Sequence, residues 1–161
     1  AGVRLGEAAP RDMIAVRIGG EHRFLAVAAP AYLNRSGRPV SPDDLHRHLC
    51  IRQRLPSGTR YRWEFQKHAR EIALDVPGPL TLDDNDLMVE AAADGLGIAY
   101  VPEGAARDLL VSGRLVTVLE DWCPPHPGLM LYYPGHRHVP SPLRAFIDLL
   151  KETDFVRFDA V

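Results

Sequence analysis

The chain of 161 residues has only two cysteines, Cys50 and Cys123, far apart and without a C-x-x-C between them. That excludes a disulfide scaffold and suits a reducing compartment. No stretch approaches the roughly eighteen apolar residues that cross a bilayer, and the N-terminus lacks the charged-then-apolar pattern of a signal peptide. The expected location is cytoplasmic. An excess of one charge is missing too: 19 basic residues against 21 acidic ones give a net charge of −2, which excludes a strongly basic nucleic-acid binder.

Catalytic motifs are equally scarce. No serine lies in G-x-S-x-G, and Asp83-Asp84-Asn85-Asp86 lacks the glycine and the spaced glutamate of a calcium loop. Cys123-Pro124-Pro125-His126, with His136 and His138 beyond it, has the residue types of a zinc site. Its spacing is incomplete and its prolines point to a solvated turn, so no metal and no cofactor is expected. An enzyme using Cys50 or Cys123 with a histidine is a rival reading, disfavoured because neither has an activating neighbourhood.

What the chain does contain is a strong local unit from Asp83 to Pro102. Asp83, Asp84, Asn85 and Asp86 offer acceptors and negative charge to a helix start, and Val89-Glu90-Ala91-Ala92-Ala93 favours helix. Gly95 suits the left-handed stop, Gly97 keeps the turn tight, and Ile98-Ala99-Tyr100-Val101 is an apolar strand that Pro102 ends. A helix passing straight into a buried strand implies an α/β domain. Strands are expected at 14–18, 24–28 (closed by Pro30), 48–52, 60–65, 72–76, 80–82, 115–119 and 129–133. Short helices are expected from Ser41-Pro42, over 104–111, and from Ser141 to about Lys151 with Phe146, Ile147 and Leu150 facing the core. Tyr61, Trp63 and Phe65 alternate with Arg60, Arg62 and Glu64, giving one buried and one wet face.

From Arg47 to Arg70 seven basic residues stand against the single acid Glu64. Their composition suits a single-strand binding face, but the outer side of a sheet explains it better. Arg52 and Arg54 follow a strand and are placed to meet an anionic ligand.

In order, GVRLGE, DMIAVRI, LAVAAPAYL, SPDDLHRHLCI, DLMVEAAADGLGIAYVPE, GRLVTVL, LYYP and SPLRAFIDLL resemble the effector-binding half of LysR-type transcriptional regulators. The resemblance covers nearly the whole chain. It implies a two-lobe α/β fold like a type II periplasmic binding protein, with the first lobe incomplete and a small-molecule site in the cleft between lobes. Residues 1–28 and 134–153 would be the first-lobe remnant, 30–128 the second lobe, and 129–133 the return crossover, with crossings at Val27-Ala28 and Leu131-Tyr132.

The resemblance also implies effector contacts from Arg4, Gly6, Asn85 and Asp86, to which Arg52, Arg54 and Tyr100 are added, although a tyrosine placed like Tyr100 is more often core than ligand contact. It implies a homodimer or homotetramer, through the helix near Asn85, that reaches DNA by a winged helix-turn-helix upstream of Ala1. The opening residues, strand-like and without Met, fit a chain truncated on that side. A solute-binding protein of a transport system shares the fold and is the main rival, decided by the sequence upstream.

Overall fold

The computed structural model describes residues 2–5, 12–18, 20–126, 128–135 and 139–152, without the side chains of 2–5, 129, 151 and 152. Its elements begin with β1 (Gly2–Leu5), β2 (Met13–Arg17), β3 (Phe24–Ala28), α1 (Pro30–Ser36), β4 (Cys50–Gln53), β5 (Trp63–Lys67) and β6 (Arg70–Leu74). They continue with β7 (Leu80–Leu82), α2 (Asn85–Ala93), β8 (Ile98–Pro102), α3 (Glu103–Val111), β9 (Val116–Val118), β10 (Leu129–Pro134) and α4 (Ser141–Glu152). Among the described residues, those through His22 and from Pro125 on form one compact unit, and Arg23–Pro124 form the other. Val27 and Ala28 therefore lie inside β3 of the second unit and Leu131 and Tyr132 inside β10 of the first, while the chain passes between units at His22-Arg23 and Pro124-Pro125.

In the first unit β10 lies between β1 and β2, antiparallel to both, with Leu131 opposite Val3 and Val16. Ile147 and Leu150 of α4 pack on Leu131 and Ile18, with Leu143 beside them. Phe146, expected in the core, is 47% exposed. The buried stripe runs through 143, 147 and 150, and a residue one position from its centre is turned about 100° away.

The second unit is built on a five-stranded sheet in the order β7-β4-β8-β3-β9. β4 runs parallel to β7 and β8, and β3 is antiparallel to β8 and β9. All five residues of β8 are buried, which is why it reads as an unbroken apolar run rather than an alternation. In β5 Trp63 and Phe65 are buried and Glu64 is exposed, as the alternation implies. The β5–β6 hairpin delivers these rings to Tyr100, whose centroid lies 5.5 Å from Trp63, 5.3 Å from Phe65 and 5.4 Å from Phe24. The Tyr100 hydroxyl donates to the Glu64 carbonyl at 2.5 Å.

Pro30 does more than close a strand. It occupies the first turn of α1, where its missing N–H costs nothing, and the helix buries Tyr32. Ser41 precedes a short 3-10 helix over Pro42–Arg47. There the Asp44 carboxylate accepts from the N–H groups of Val40 and Ser41, both at 3.0 Å. Those bonds, with Arg47 adding to them, hold the Asp44 pKa down at about 2.

Tyr32 reaches a buried histidine that the residue pattern does not flag. Its hydroxyl accepts the Leu49 N–H at 2.9 Å and shares a hydrogen bond with His48 Nδ1 at 3.2 Å. Burial holds the His48 pKa below the ordinary 6.5, against the opposing pull of Asp44. The unfolded chain therefore binds a proton that the folded chain resists, and stability must rise with pH through this window. Urea midpoints should fall between about pH 7 and about pH 5, and fall less in His48→Gln. An unchanged pH dependence in the variant would remove His48 as the cause.

Candidate functional site

The carboxyl ends of parallel strands, where loops and helix starts converge, are the usual ligand edge of an open α/β sheet. Here β4 and β7 run side by side, with Arg52 opposite Thr81 and Gln53 opposite Leu82. The Arg54 N–H then bonds the Leu82 carbonyl at 2.7 Å. Two residues after Leu82, at Asp84, the chain turns into α2. Of the four acceptors expected at the helix start, Asp84 is the N-cap, accepting the Leu87 N–H at 2.9 Å, and Asn85 and Asp86 are the first two helical residues rather than caps.

That correction matters for what the edge can bind. Asp84 and Asp86 already supply negative charge at the positive end of α2, so the helix start repels an anion more than it invites one. Asn85 is half-buried, and its Oδ1 accepts from Gln53 Nε2 at 3.4 Å, an amide pair suited to a hydroxyl or amide. Positive charge comes instead from β4. Arg54 is spent on Asp83 at 2.8 Å, the bond that pulls the Asp83 pKa down. Arg52 differs: it is half-buried, and its buried Nε has no hydrogen-bond partner among the described residues.

Beside this edge lies a depression of about 460 Å³ lined by Arg54, Leu55, Pro56, Gly58 and Asp83. Its size falls within the range of small-molecule sites. Of the expected site residues, Arg54 lines this depression with Asp83, Asn85 meets Gln53, whose only sequence signal was its place between two arginines, and Arg52 and Asp86 lie at the same end of β4 and α2 without lining it. Tyr100 does not join them. It is 3% exposed, and burial pushes its phenol well above the ordinary range, so it serves the core of the second unit. Arg4 lies in β1 of the first unit opposite Met130. Gly6 lies outside the described residues, as do His136 and His138.

Both thiols are buried, which pushes Cys50 up to about 12 and Cys123 up to about 11. At neutral pH each is a protonated core group, not a nucleophile. Among the described residues no three His, Cys, Asp or Glu side chains are grouped to hold a metal ion, and no helix is long and apolar enough to cross a membrane.

Against known proteins, the LysR substrate binding domain family model matches residues 1–154. A putative transcriptional regulator of Pseudomonas aeruginosa is 44% identical over 154 residues, covering 95% of this chain and 50% of that protein. The HTH-type transcriptional regulator PgrR of Escherichia coli is 41% identical over 152 residues, covering 94% of this chain and 51% of that protein. The chain spans about half the length of these relatives. Among solved structures, the regulatory domain of AphB from Vibrio vulnificus superposes with a TM-score of 0.72 at 26% identity, covering 94% of this chain and 74% of that one. Full-length AphB of Vibrio cholerae, described as a virulence activator, gives 0.69 at 28% identity, covering 93% of this chain and 50% of that one.

Proposed function

The chain belongs to the LysR substrate-binding domain family, with its type II periplasmic-binding-protein-like fold, and we propose that it senses a small anionic metabolite at the carboxyl edge of β4 and β7. In the whole protein this domain would control a winged helix-turn-helix in a cytoplasmic homodimer or homotetramer, without catalysing a reaction. The relatives' names favour this reading over a transport protein. Effector binding would act on DNA only through its different affinity for two states of the regulator.

One observation carries the ligand's charge: the buried Arg52 Nε without an acceptor. A half-buried guanidinium with an unmet donor costs stability in the free domain, and a carboxylate or phosphate would supply the missing bond once the side chain turns to uncover Nε. Arg54 would add a second contact once Asp83 gives way, and Asn85 with Gln53 would read a neutral polar group. Asp86 would set the acidic rim that restricts how the anion enters. Arg4 and Gly6, which the family resemblance marks as effector contacts, and Tyr100, as a wall behind the edge, complete the proposed set.

A thermal-shift survey of carboxylates, phosphate esters and neutral analogues tests this directly. An anion should raise the melting temperature, and Arg52→Met should weaken its binding by about ten- to a hundred-fold, the worth of a charge-assisted hydrogen bond. The same substitution should leave the free domain equally stable or up to about 1 kcal/mol more stable, because the unmet donor is gone. Preference for neutral ligands, or unaltered anion binding in Arg52→Met, would overturn the assignment.

A further inference from the structure

The two places where the chain passes between units, His22-Arg23 and Pro124-Pro125, are tied together by local bonds on both sides. On one side His22 and His126 exchange a pair of backbone hydrogen bonds, of 3.1 and 2.8 Å. On the other a single guanidinium makes the tie. Arg23 Nε donates to the Cys123 carbonyl at 2.5 Å and Nη2 to the Glu120 carbonyl at 3.0 Å, with Nη1 3.5 Å from the Glu120 carboxylate.

The segment that Arg23 holds is a strained one. Leu119 sits at φ 54°, a left-handed conformation costly for a branched side chain, and opens the 3-10 turn over Glu120–Trp122. Such a residue persists only where its surroundings over-determine it, and Arg23 takes the carbonyls at both ends of that turn. The Arg23 carbonyl is fixed in turn by the Glu103 N–H at 2.8 Å, at the start of α3. Phe24, next along, lies 6.1 Å from the Tyr61 ring, and the Tyr61 N–H bonds the Gln53 carbonyl at 2.9 Å. Only Tyr61 and Phe24 separate the candidate site from this tie.

We infer that Arg23 is a positioning residue for the two passages, joining them into one ribbon so that a shift in either is carried to the other. The inference stands on the passages alone and is independent of which ligand the edge of β4 and β7 takes. A merely structural Arg23 would stabilise only its own turn. The distinction is measurable as hydrogen exchange at four bonded amides, Trp122 and Cys123 in the turn and His22 and His126 in the opposite pair.

In Arg23→Ala exchange should quicken about ten-fold or more at all four amides, with core amides such as Ala99 unchanged. Arg23→Lys, whose single ammonium cannot span two carbonyls as a planar fork does, should fall between. Faster exchange confined to Trp122 and Cys123, or wild-type exchange at His22 and His126, would overturn the ribbon. Should Arg23→Ala fail to fold, Arg23→Lys carries the same test at the same four amides.

Discussion

Replacing Gly78 by alanine should destabilise the Arg23–Pro124 unit by about 3 kcal/mol or more, because its added atom has nowhere to go. A Cβ there would lie 1.8 Å from the Cys50 carbonyl oxygen and 2.8 Å from its carbon. Both are backbone atoms at the start of β4, and the adjacent Cys50 N–H is itself bonded to Pro77. Gly95→Ala should cost far less, about 1 kcal/mol. At Gly95 the nearest atom to a Cβ is an Arg35 nitrogen 3.8 Å away, so only the positive φ of 78° opposes a side chain. Its place is well defined all the same, since the Gly95 and Leu96 N–H groups bond the Ala92 and Ala91 carbonyls and close α2. Asp94→Ala, at an exposed residue 4.0 Å from Arg114, should do little. Urea denaturation of the three variants orders them. A Gly95→Ala cost equal to that of Gly78→Ala would mean that β4 can yield at Cys50.

Trp63→Ala should cost about 3–5 kcal/mol, the usual range for a large core ring. Trp63 is fully buried and stacks on Tyr100, with Phe65 edge-on to it at 6.4 Å. Loss of that ring loosens the β5–β6 hairpin, which this aromatic cluster and the Tyr100 bond to Glu64 help hold to the sheet, beside the Lys67–Asp121 ion pair and the contacts of Lys67 and Arg70 with Trp122. Trp63→Phe should cost much less than its lost area implies, because the buried Trp63 Nε1 makes no hydrogen bond among the described residues and its removal relieves an unmet donor. Thermal melts followed by near-ultraviolet circular dichroism measure both. A Trp63→Phe penalty matching Trp63→Ala would show that the indole N–H is satisfied in solution.

Much of the architecture is visible in short stretches of the chain. The unit from Asp83 to Pro102 forms the helix, stop and strand that its residues imply, because capping acceptors, a left-handed glycine and an apolar run act within four or five residues of one another. The alternation around Trp63 survives for the same reason. Two helical details were not legible. Pro30 looks like the end of a strand until α1 is seen to begin on it, and an apolar neighbour such as Phe146 cannot be told from the true stripe before the partner sheet is known.

The candidate site divides along the same line. The sequence by itself placed Arg52, Arg54, Asn85 and Asp86 next to strand ends and helix starts, since those positions follow from local periodicity and turn chemistry. Only the tertiary structure decided that β7 lies beside β4 and brings them to one edge. It alone left the Arg52 Nε without a partner among the described residues, spent Arg54 on Asp83, and drew Tyr100 into the aromatic core. It also set Arg23 against carbonyls about a hundred residues away. The reason is physical: helix stops and strand faces depend on neighbours a few residues apart, whereas charge pairing and burial depend on which strands become adjacent, and the order β7-β4-β8-β3-β9 is written in no local stretch.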